Sequence, residues 1–300
     1  MSSIVALHRR GEHRSVSELY RRGTLLPNYI TMLLLQITTK AENFIFGSAA
    51  THYRGLHRIS SNVDELGRYA PGLDSDIAAT IKRNDRTIEA YDSNIAEYLT
   101  RSPSTREPDP DYHSLGGWLH VYAESLKLRA ARCGQIPRVL DLASGPRPRD
   151  GHFYRDNGFD VTLSDASARS VERLRESGFD ARKINMITDD FGGPWDGISI
   201  NGGVPHLSDD QLDKVIEKAA GSLSDGGILA YNFKLADSAE LIGHQKIFNK
   251  GAEKDYYLRW VEALEPWELS HGLYPLMAPA GYSSGGTHRW ASKVLVKLYP

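Results

Sequence analysis

The feature that most constrains the fold is a change of texture at Pro137. Beyond it, short apolar runs at Arg138–Leu142, Val161–Leu163, Ala181–Ile184, Gly197–Ile200 and Ile228–Phe233 alternate with helical patterns such as Ala168–Ser177 and Asp210–Leu223. Strands separated by helix-length connections pair in parallel, because the crossover helix returns the chain to the same end of the sheet. The pattern predicts a doubly wound α/β domain. Val294, Val296 and Leu298 alternate within Trp290–Tyr299, which predicts a last strand that joins the sheet late.

The chain before Pro137 reads as helical. Val16, Leu19 and Tyr20 share a face, and Tyr29, Met32, Leu33 and Gln36 recur at three- and four-residue steps. Asp74 and Asp76 open a helix that presents Ile77, Ile81 and Ile88, runs toward Tyr98 and ends at Arg101-Ser102-Pro103. The proline-rich stretch Arg101–Pro110 is a loop, and Trp118–Cys133 is a further amphipathic helix. We therefore divide the chain into a helical extension over residues 1–90 and a ligand-binding domain over 91–300.

The 300 residues carry 36 Lys and Arg against 38 Asp and Glu, a net charge of −2, so no global positive field collects phosphate backbones. Nucleic acid is not an expected partner. The single cysteine, Cys133, cannot form an intramolecular disulfide or a thiolate cluster for zinc or iron–sulfur, and no metal-ligand spacing occurs, so no metal is expected. Met1–Ser15 contains Arg9, Arg10, Glu12 and Arg14 and lacks the apolar run of a secretory signal. Ile30–Ile37 is interrupted by Thr31 and Gln36 and falls short of the ~20 residues a membrane span needs. These features predict a cytoplasmic protein with no membrane partner.

The chemistry gathers where the predicted strands end. Val139-Leu140-Asp141-Leu142-Ala143-Ser144-Gly145-Pro146 passes from a β-run to small residues just before a helix, the place where such sheets hold a ligand. The second run ends at Leu163-Ser164-Asp165-Ala166-Ser167. A carboxylate there can accept both hydroxyl hydrogens of a ribose, and Ser167 can cap the next helix. An adenosine-type cofactor is implied. The dinucleotide fingerprint Gly-x-Gly-x-x-Gly is absent, since Ala143, Gly145 and Asp150 or Gly151 stand at its positions.

Five elements in this order resemble the class I S-adenosylmethionine-dependent methyltransferases over about residues 88–300. They are Val139–Gly145, Asp165 with Ser167, Asn185-Met186, Trp195–Asn201 followed by His206-Leu207, and Leu223–Leu229 with its Asp225-Gly226-Gly227 turn. Ala280-Gly281-Tyr282 before the last strand is similar to the family's ending. The resemblance implies a Rossmann-like methyltransferase sheet with an N-terminal helical extension, and S-adenosyl-L-methionine held by Asp141, Ala143, Ser144, Gly145, Asp165, Ala166, Asn185, Met186 and Asn201. The chain departs from the pattern in two places. Ala143 replaces the first glycine of the loop, and Arg147-Pro148 stands at the later one, where Arg147 or Arg149 either holds the methionine carboxylate or is a surface arginine.

Three residues are candidates for catalysis. Asn201 ends the fourth strand where amino-methylating relatives have Asn-Pro-Pro-aromatic, and its carbonyl can accept an amine hydrogen; the following Gly202-Gly203-Val204 leaves an ordinary loop residue as the other reading. His206 is either a general base or structural. Tyr91 either closes over the cofactor or packs a helix. His271, His288 and the aromatics Tyr231, Phe233, Tyr256, Tyr257, Trp260 and Trp267 lie where relatives place substrate contacts, with core packing as the alternative.

The expected activity is methyl transfer to nitrogen or oxygen of a small molecule, a role in small-molecule metabolism, with residues 1–90 as a lid or partner surface and a homodimer as an open alternative. The competing expectation is an enzyme that transfers or cyclises the aminocarboxypropyl arm of S-adenosylmethionine, as azetidine-2-carboxylate synthases do, and releases methylthioadenosine. A non-catalytic cofactor-binding scaffold is the alternative from another class.

Overall fold

The computed structural model describes residues 73–101, 117–236, 242–249, 252–277, 280–282 and 289–298, all within a compact unit running from Ala70 to Pro300. The helical faces expected between Val16 and Gln36, residues 102–110 of the expected loop and His288 lie outside the described residues, while Arg101 ends a helix.

In chain order the elements are α1 (Leu73–Ser93), α2 (Ile95–Arg101), α3 (Trp118–Cys133), β1 (Arg138–Leu142), α4 (Arg149–Asp156), β2 (Asp160–Asp165), α5 (Ala168–Glu176), β3 (Asp180–Lys183) and β4 (Trp195–Ile200). There follow a short 3₁₀ turn at Val204–His206, α6 (Asp209–Ser222), β5 (Leu223–Leu235), β6 (Gly243–Asn249), β7 (Ala252–Arg259), α7 (Glu265–Ser270), β8 (Leu273–Pro275), β9 (Ala280–Tyr282) and β10 (Trp290–Lys297). The strands lie in the order β3-β2-β1-β4-β5-β10-β8. β1 through β5 are mutually parallel and β10 runs antiparallel to both β5 and β8.

Local chemistry explains the punctuation. Ser208 starts α6 with a reciprocal cap in which Gln211 N donates to Ser208 Oγ at 3.4 Å and Ser208 N donates to Gln211 Oε1 at 2.8 Å. Ser167 starts α5 by accepting from Ser170 N at 3.0 Å. The parallel strands are covered on both faces, so their apolar runs are nearly continuous. Leu142, Ile198, Ile200, Leu229 and Tyr231 pack with Leu212, Val215, Ile216 and Ala219 of α6, while Leu163, Val171, Leu174 and Phe179 form a second cluster beneath α5.

The register decides where a ligand can bind. Asp141 pairs with Leu163 on one side and Ser199 on the other, and Ile200 pairs with Tyr231. The carboxyl ends of β1, β2, β4 and β5 therefore come together at one edge, and the loops after them form a common crevice.

Three outcomes differ from the sequence expectation. β5 begins at Leu223 rather than Ile228, because Trp195 already pairs with Leu223 before the register shifts at Gly197. The β6–β7 hairpin was not expected; β7 extends the sheet beside the end of β5, where Lys234 pairs with Leu258. Helix α1 runs without interruption through the boundary placed at residue 90, because its last turn is bonded to the loops of the sheet, as described below.

Two glycines test this packing. A Cβ on Gly197 would collide with Tyr122 Oη and lie 3.0 Å from Leu126 Cδ1 of α3, whereas one on Gly221 in α6 would meet nothing within 4 Å. Gly197→Ala should destabilise the fold by about 1–3 kcal/mol through overpacking. Gly221→Ala should stabilise it by up to about 1 kcal/mol through helix propensity. Urea unfolding of the two variants checks both signs.

Candidate active site

The site is built on the end of β1. Asp141 is 1% exposed, accepting from Ser144 Oγ at 2.7 Å and from Ser199 Oγ of β4. Its backbone carbonyl accepts from Ser144 Oγ and from Ser164 Oγ of β2, each at 3.0 Å. Burial pushes the Asp141 carboxyl up to about 7, the Asp150 charge adds to this, and the serine hydroxyls oppose it. Ser144 N in turn donates to Ser164 O at 2.8 Å. One residue thus joins three strands and the loop, while its carboxylate oxygens face serines rather than the crevice.

The loop keeps the conformation a glycine would give. Ala143 stands at φ 57° and Gly145 at φ 68°, both left-handed. For alanine this costs about 1 kcal/mol. The Ala143 methyl also explains a close approach across the crevice: a Cβ on Gly203 would lie 2.8 Å from Ala143 Cβ and 2.9 Å from Met186 Cε. Met186 therefore packs under the crevice with its side chain, and its backbone carbonyl accepts from Lys218 Nζ.

Asp165 closes the end of β2. Its two oxygens accept from Gly145 N at 2.9 Å and from Ser167 N at 2.8 Å. Burial pushes this carboxyl up to about 6 against the effect of those two amides, with the Asp92 charge raising it further. Each oxygen keeps a lone pair for a further donor, so two adjacent hydroxyls can be received together. Ala166 lies half-buried between Asp165 and the Ser167 cap.

Helix α1 reaches the same place. Asp92 accepts from Ser167 Oγ and from Arg169 N at 3.3 Å, and Arg169 Nη1 donates to the Asp92 carbonyl at 3.1 Å. One residue earlier, Tyr91 Oη lies 3.0 Å from His206 Nε2. The Tyr91 ring stands edge-on to Tyr98 of α2 at 5.8 Å and to His206 at 5.6 Å, and His206 stacks obliquely on Tyr256 of β7 at 4.8 Å. Burial, with Tyr256, Tyr98 and Asp165 nearby, holds the Tyr91 phenol protonated far above its usual range. Tyr98 Oη would be 3.6 Å from a Cβ on Gly145, so this aromatic wall extends over the loop. Arg147 Nη2 donates to the carbonyl of Leu99, tying α2 to the loop as well.

Asn201 is held from two sides. Its Nδ2 donates to Asp150 Oδ2 at 2.6 Å and its Oδ1 accepts from Asn232 Nδ2 at 2.7 Å. Asn232 Oδ1 also accepts from Gly202 N at 2.6 Å. One lone pair of the Asn201 carbonyl is thus engaged by β5, the other is left for the amine hydrogen expected there, and Asn201 also fixes the loop after β4. Asn185 behaves similarly: its Oδ1 accepts from Ile187 N at 3.0 Å in a local turn, which leaves the amide NH₂ as the group for a ligand.

Of the distal aromatics, Tyr256 alone joins the wall described here. Tyr231 and Phe233 are buried in the core, Trp267 packs against it, Tyr257 stands beside Arg259, and Trp260 is exposed. His271 lies 3.1 Å from Asp213 of α6 and ties α6 to α7. Tyr98, Asp92, Asp150 and Asn232 escaped the sequence reading. A signal for Asn232 existed in the polar residue breaking the apolar run of β5; the others have none short of the fold.

Among the described residues no group of three His, Cys, Asp or Glu side chains could hold a metal ion. Among them, too, no helix is long and apolar enough to cross a membrane.

No protein-family model and no curated protein sequence matches the chain. Solved structures do. The 1,6-didemethyltoxoflavin-N1-methyltransferase of Burkholderia thailandensis, solved with 1,6-didemethyltoxoflavin and S-adenosylhomocysteine, is 15% identical with a TM-score of 0.50, over 77% of this chain and 91% of that one. A sugar N-methyltransferase from Streptoalloteichus is 16% identical with a TM-score of 0.45, over 66% and 95%. An S-adenosylmethionine-dependent methyltransferase from Clostridium acetobutylicum is 12% identical with a TM-score of 0.46, over 61% and 92%. With its strand order, the antiparallel β10 and the crevice at the carboxyl ends of β1 and β2, the chain has the Rossmann-like fold of the class I S-adenosylmethionine-dependent methyltransferases.

Proposed function

We propose that the protein is an S-adenosylmethionine-dependent methyltransferase that modifies a small molecule at nitrogen or oxygen. One observation carries this reading. Asp165 is fixed by the amides of Gly145 and Ser167 so that its free lone pairs stand at the end of β2, beside a left-handed loop of small residues. The bound 1,6-didemethyltoxoflavin and S-adenosylhomocysteine of the Burkholderia structure support the same cofactor and substrate class.

The residues fit the cofactor at both ends. Asp165 takes the ribose hydroxyls. At the other end, Arg147 Nε is buried without a hydrogen-bond partner among the described residues, an orphaned donor suited to the methionine carboxylate. The Asn185 amide is the donor left for the adenine side. When bound, S-adenosylmethionine supplies a methyl group made electrophilic by its sulfonium.

The chain supplies alignment, a dry wall and a proton acceptor. Tyr91, Tyr98 and Tyr256 exclude water above the loop, and Tyr91 orients His206 through the 3.0 Å contact. Transfer forms the bond from the acceptor lone pair to the methyl carbon while the carbon–sulfur bond breaks toward sulfur. In the tautomer whose Nε2–H donates to Tyr91 Oη, the acceptor proton passes to His206 Nδ1. Asn201 and Asn232 hold the floor of the acceptor side. The lid expected of residues 1–90 would adjoin Tyr91 and Asp92 at the end of α1, which meet His206 and the start of α5.

Two outcomes follow. S-adenosylhomocysteine should bind by calorimetry, about 10²–10⁴-fold more weakly in Asp165→Ala, since two hydrogen bonds to an ionised group are lost at about 1.5–3 kcal/mol each. Because the carboxyl titrates near 6, affinity should be level above that value and fall by up to about tenfold per pH unit below it. A flat profile from pH 5 to 8, unchanged in Asp165→Ala, contradicts the assignment.

With labelled cofactor and an extract of the native host, mass spectrometry should identify a methylated product and S-adenosylhomocysteine. Methylthioadenosine in its place overturns the reading. His206→Asn should slow label transfer at least about tenfold, the usual scale of acid–base assistance, with S-adenosylhomocysteine affinity held within about threefold.

A further inference from the structure

Lys234 is a buried cation that nothing in the preceding account uses. It is 9% exposed, two residues beyond Asn232 on the same face of β5. Lys293 and Arg259, the other buried cations of the described residues, each meet a carboxylate: Lys293 Nζ lies 2.7 Å from Glu268 and Arg259 Nε 2.8 Å from Asp209. Among the described residues Lys234 has no hydrogen bond or ion pair. Its Nζ instead sits between two ring faces, 4.8 Å from the centre of Trp290 and 5.1 Å from that of Tyr256.

Ring faces compensate a cation in part, yet they accept no ordinary hydrogen bond, and an ammonium has three donors. Burial lowers the Lys234 pKa, and no neighbouring charge opposes it. The stem is buried, while Nζ is not among the side-chain atoms sealed from solvent, so the ammonium can meet an anion that enters the crevice. The position shows where that anion would come from. Asn232 holds Gly202 and Asn201 at the mouth of β4, and Tyr256 stacks on His206. Lys234 thus flanks the acceptor side of the crevice, at the far end of the aromatic wall from Gly145.

A second unsatisfied group stands beside it. Ser292 of β10 is 1% exposed and its Oγ has no hydrogen-bond partner among the described residues. In the β5–β10 register Ser292 pairs with Asn232 and Trp290 with Lys234, so the hydroxyl and the ammonium share one face as diagonal neighbours.

We infer that Lys234, assisted by Ser292, is the specificity-determining residue for the acceptor and selects small molecules that carry a carboxylate. The inference rests on the methyltransferase reading for the word acceptor, and on geometry for the anion. The carboxylate accepts from Lys234 Nζ and Ser292 Oγ, with Tyr256 and Trp290 as apolar walls for the attached group.

The test is a calorimetric titration with acids paired to their own amides: benzoate with benzamide, indole-3-acetate with its amide, and glycine with glycinamide. Each is run with and without saturating S-adenosylhomocysteine. At least one acid should bind the wild-type chain tenfold or more tightly than its amide. Lys234→Met should abolish that preference while S-adenosylhomocysteine affinity stays within threefold, and Lys234→Arg should keep most of it. Lys234→Met should also unfold at no lower temperature than wild type, because it keeps the buried apolar stem and removes a charge that no ion pair holds; a drop of several degrees would mark the lysine as structural and overturn the proposal. Acids and amides that bind alike, or a preference that survives Lys234→Met, overturn it too. Failure of S-adenosylhomocysteine to bind, with the acid preference intact, strikes the methyltransferase reading alone.

Discussion

The buried carboxyl of Asp141 is the contact on which the rest of the site depends. It receives hydroxyls from the loop after β1 and from β4, while its own carbonyl receives a hydroxyl from β2. Three strands and the loop are thereby fixed at one height. The loop can then present Gly145 N to Asp165, and Asp165 can present its remaining lone pairs outward. Without that anchor the left-handed turn at Ala143 has nothing to offset its strain.

Stability and function oppose each other here. Asp141 is pushed up to about 7 and Asp165 to about 6, so between about pH 4 and 7 the folded chain binds protons that the unfolded chain releases. These acids therefore favour folding most at low pH, and that contribution fades as the pH rises through their folded values. An ionised Asp165 is nonetheless what the proposed ribose contact requires. A crevice lined with groups that are individually unfavourable is what a pre-organised binding site looks like.

Much of the fold was legible because its signals are local. β1 and α3 occupy the residues expected, and β2, β3, β4, α5 and α6 differ only at their ends, since apolar runs and serine caps mark them directly. The β6–β7 hairpin was hidden: Gly243–Arg259 mixes charged, aromatic and amide residues without a clean alternation, and the pairing to β5 that supports it is distant in sequence. The loop after β1 and the end of β2 were legible as well, because Ala143, Gly145 and Asp165 mark them locally along the chain. The acceptor side was not. The bond from Asn232, 31 residues away, to the Asn201 carbonyl has no local signal, and the wall of Tyr91, Tyr98, His206 and Tyr256 is assembled from four separate elements.

The account stands or falls on what occupies the crevice above Asp165. A crystal structure of the chain grown with S-adenosylhomocysteine tests it most directly. The account predicts the ribose hydroxyls on the two Asp165 oxygens, with Tyr91 and Tyr98 closed over the ligand. A nucleoside seated elsewhere, or an Asp165 carboxylate that touches no part of it, contradicts the account.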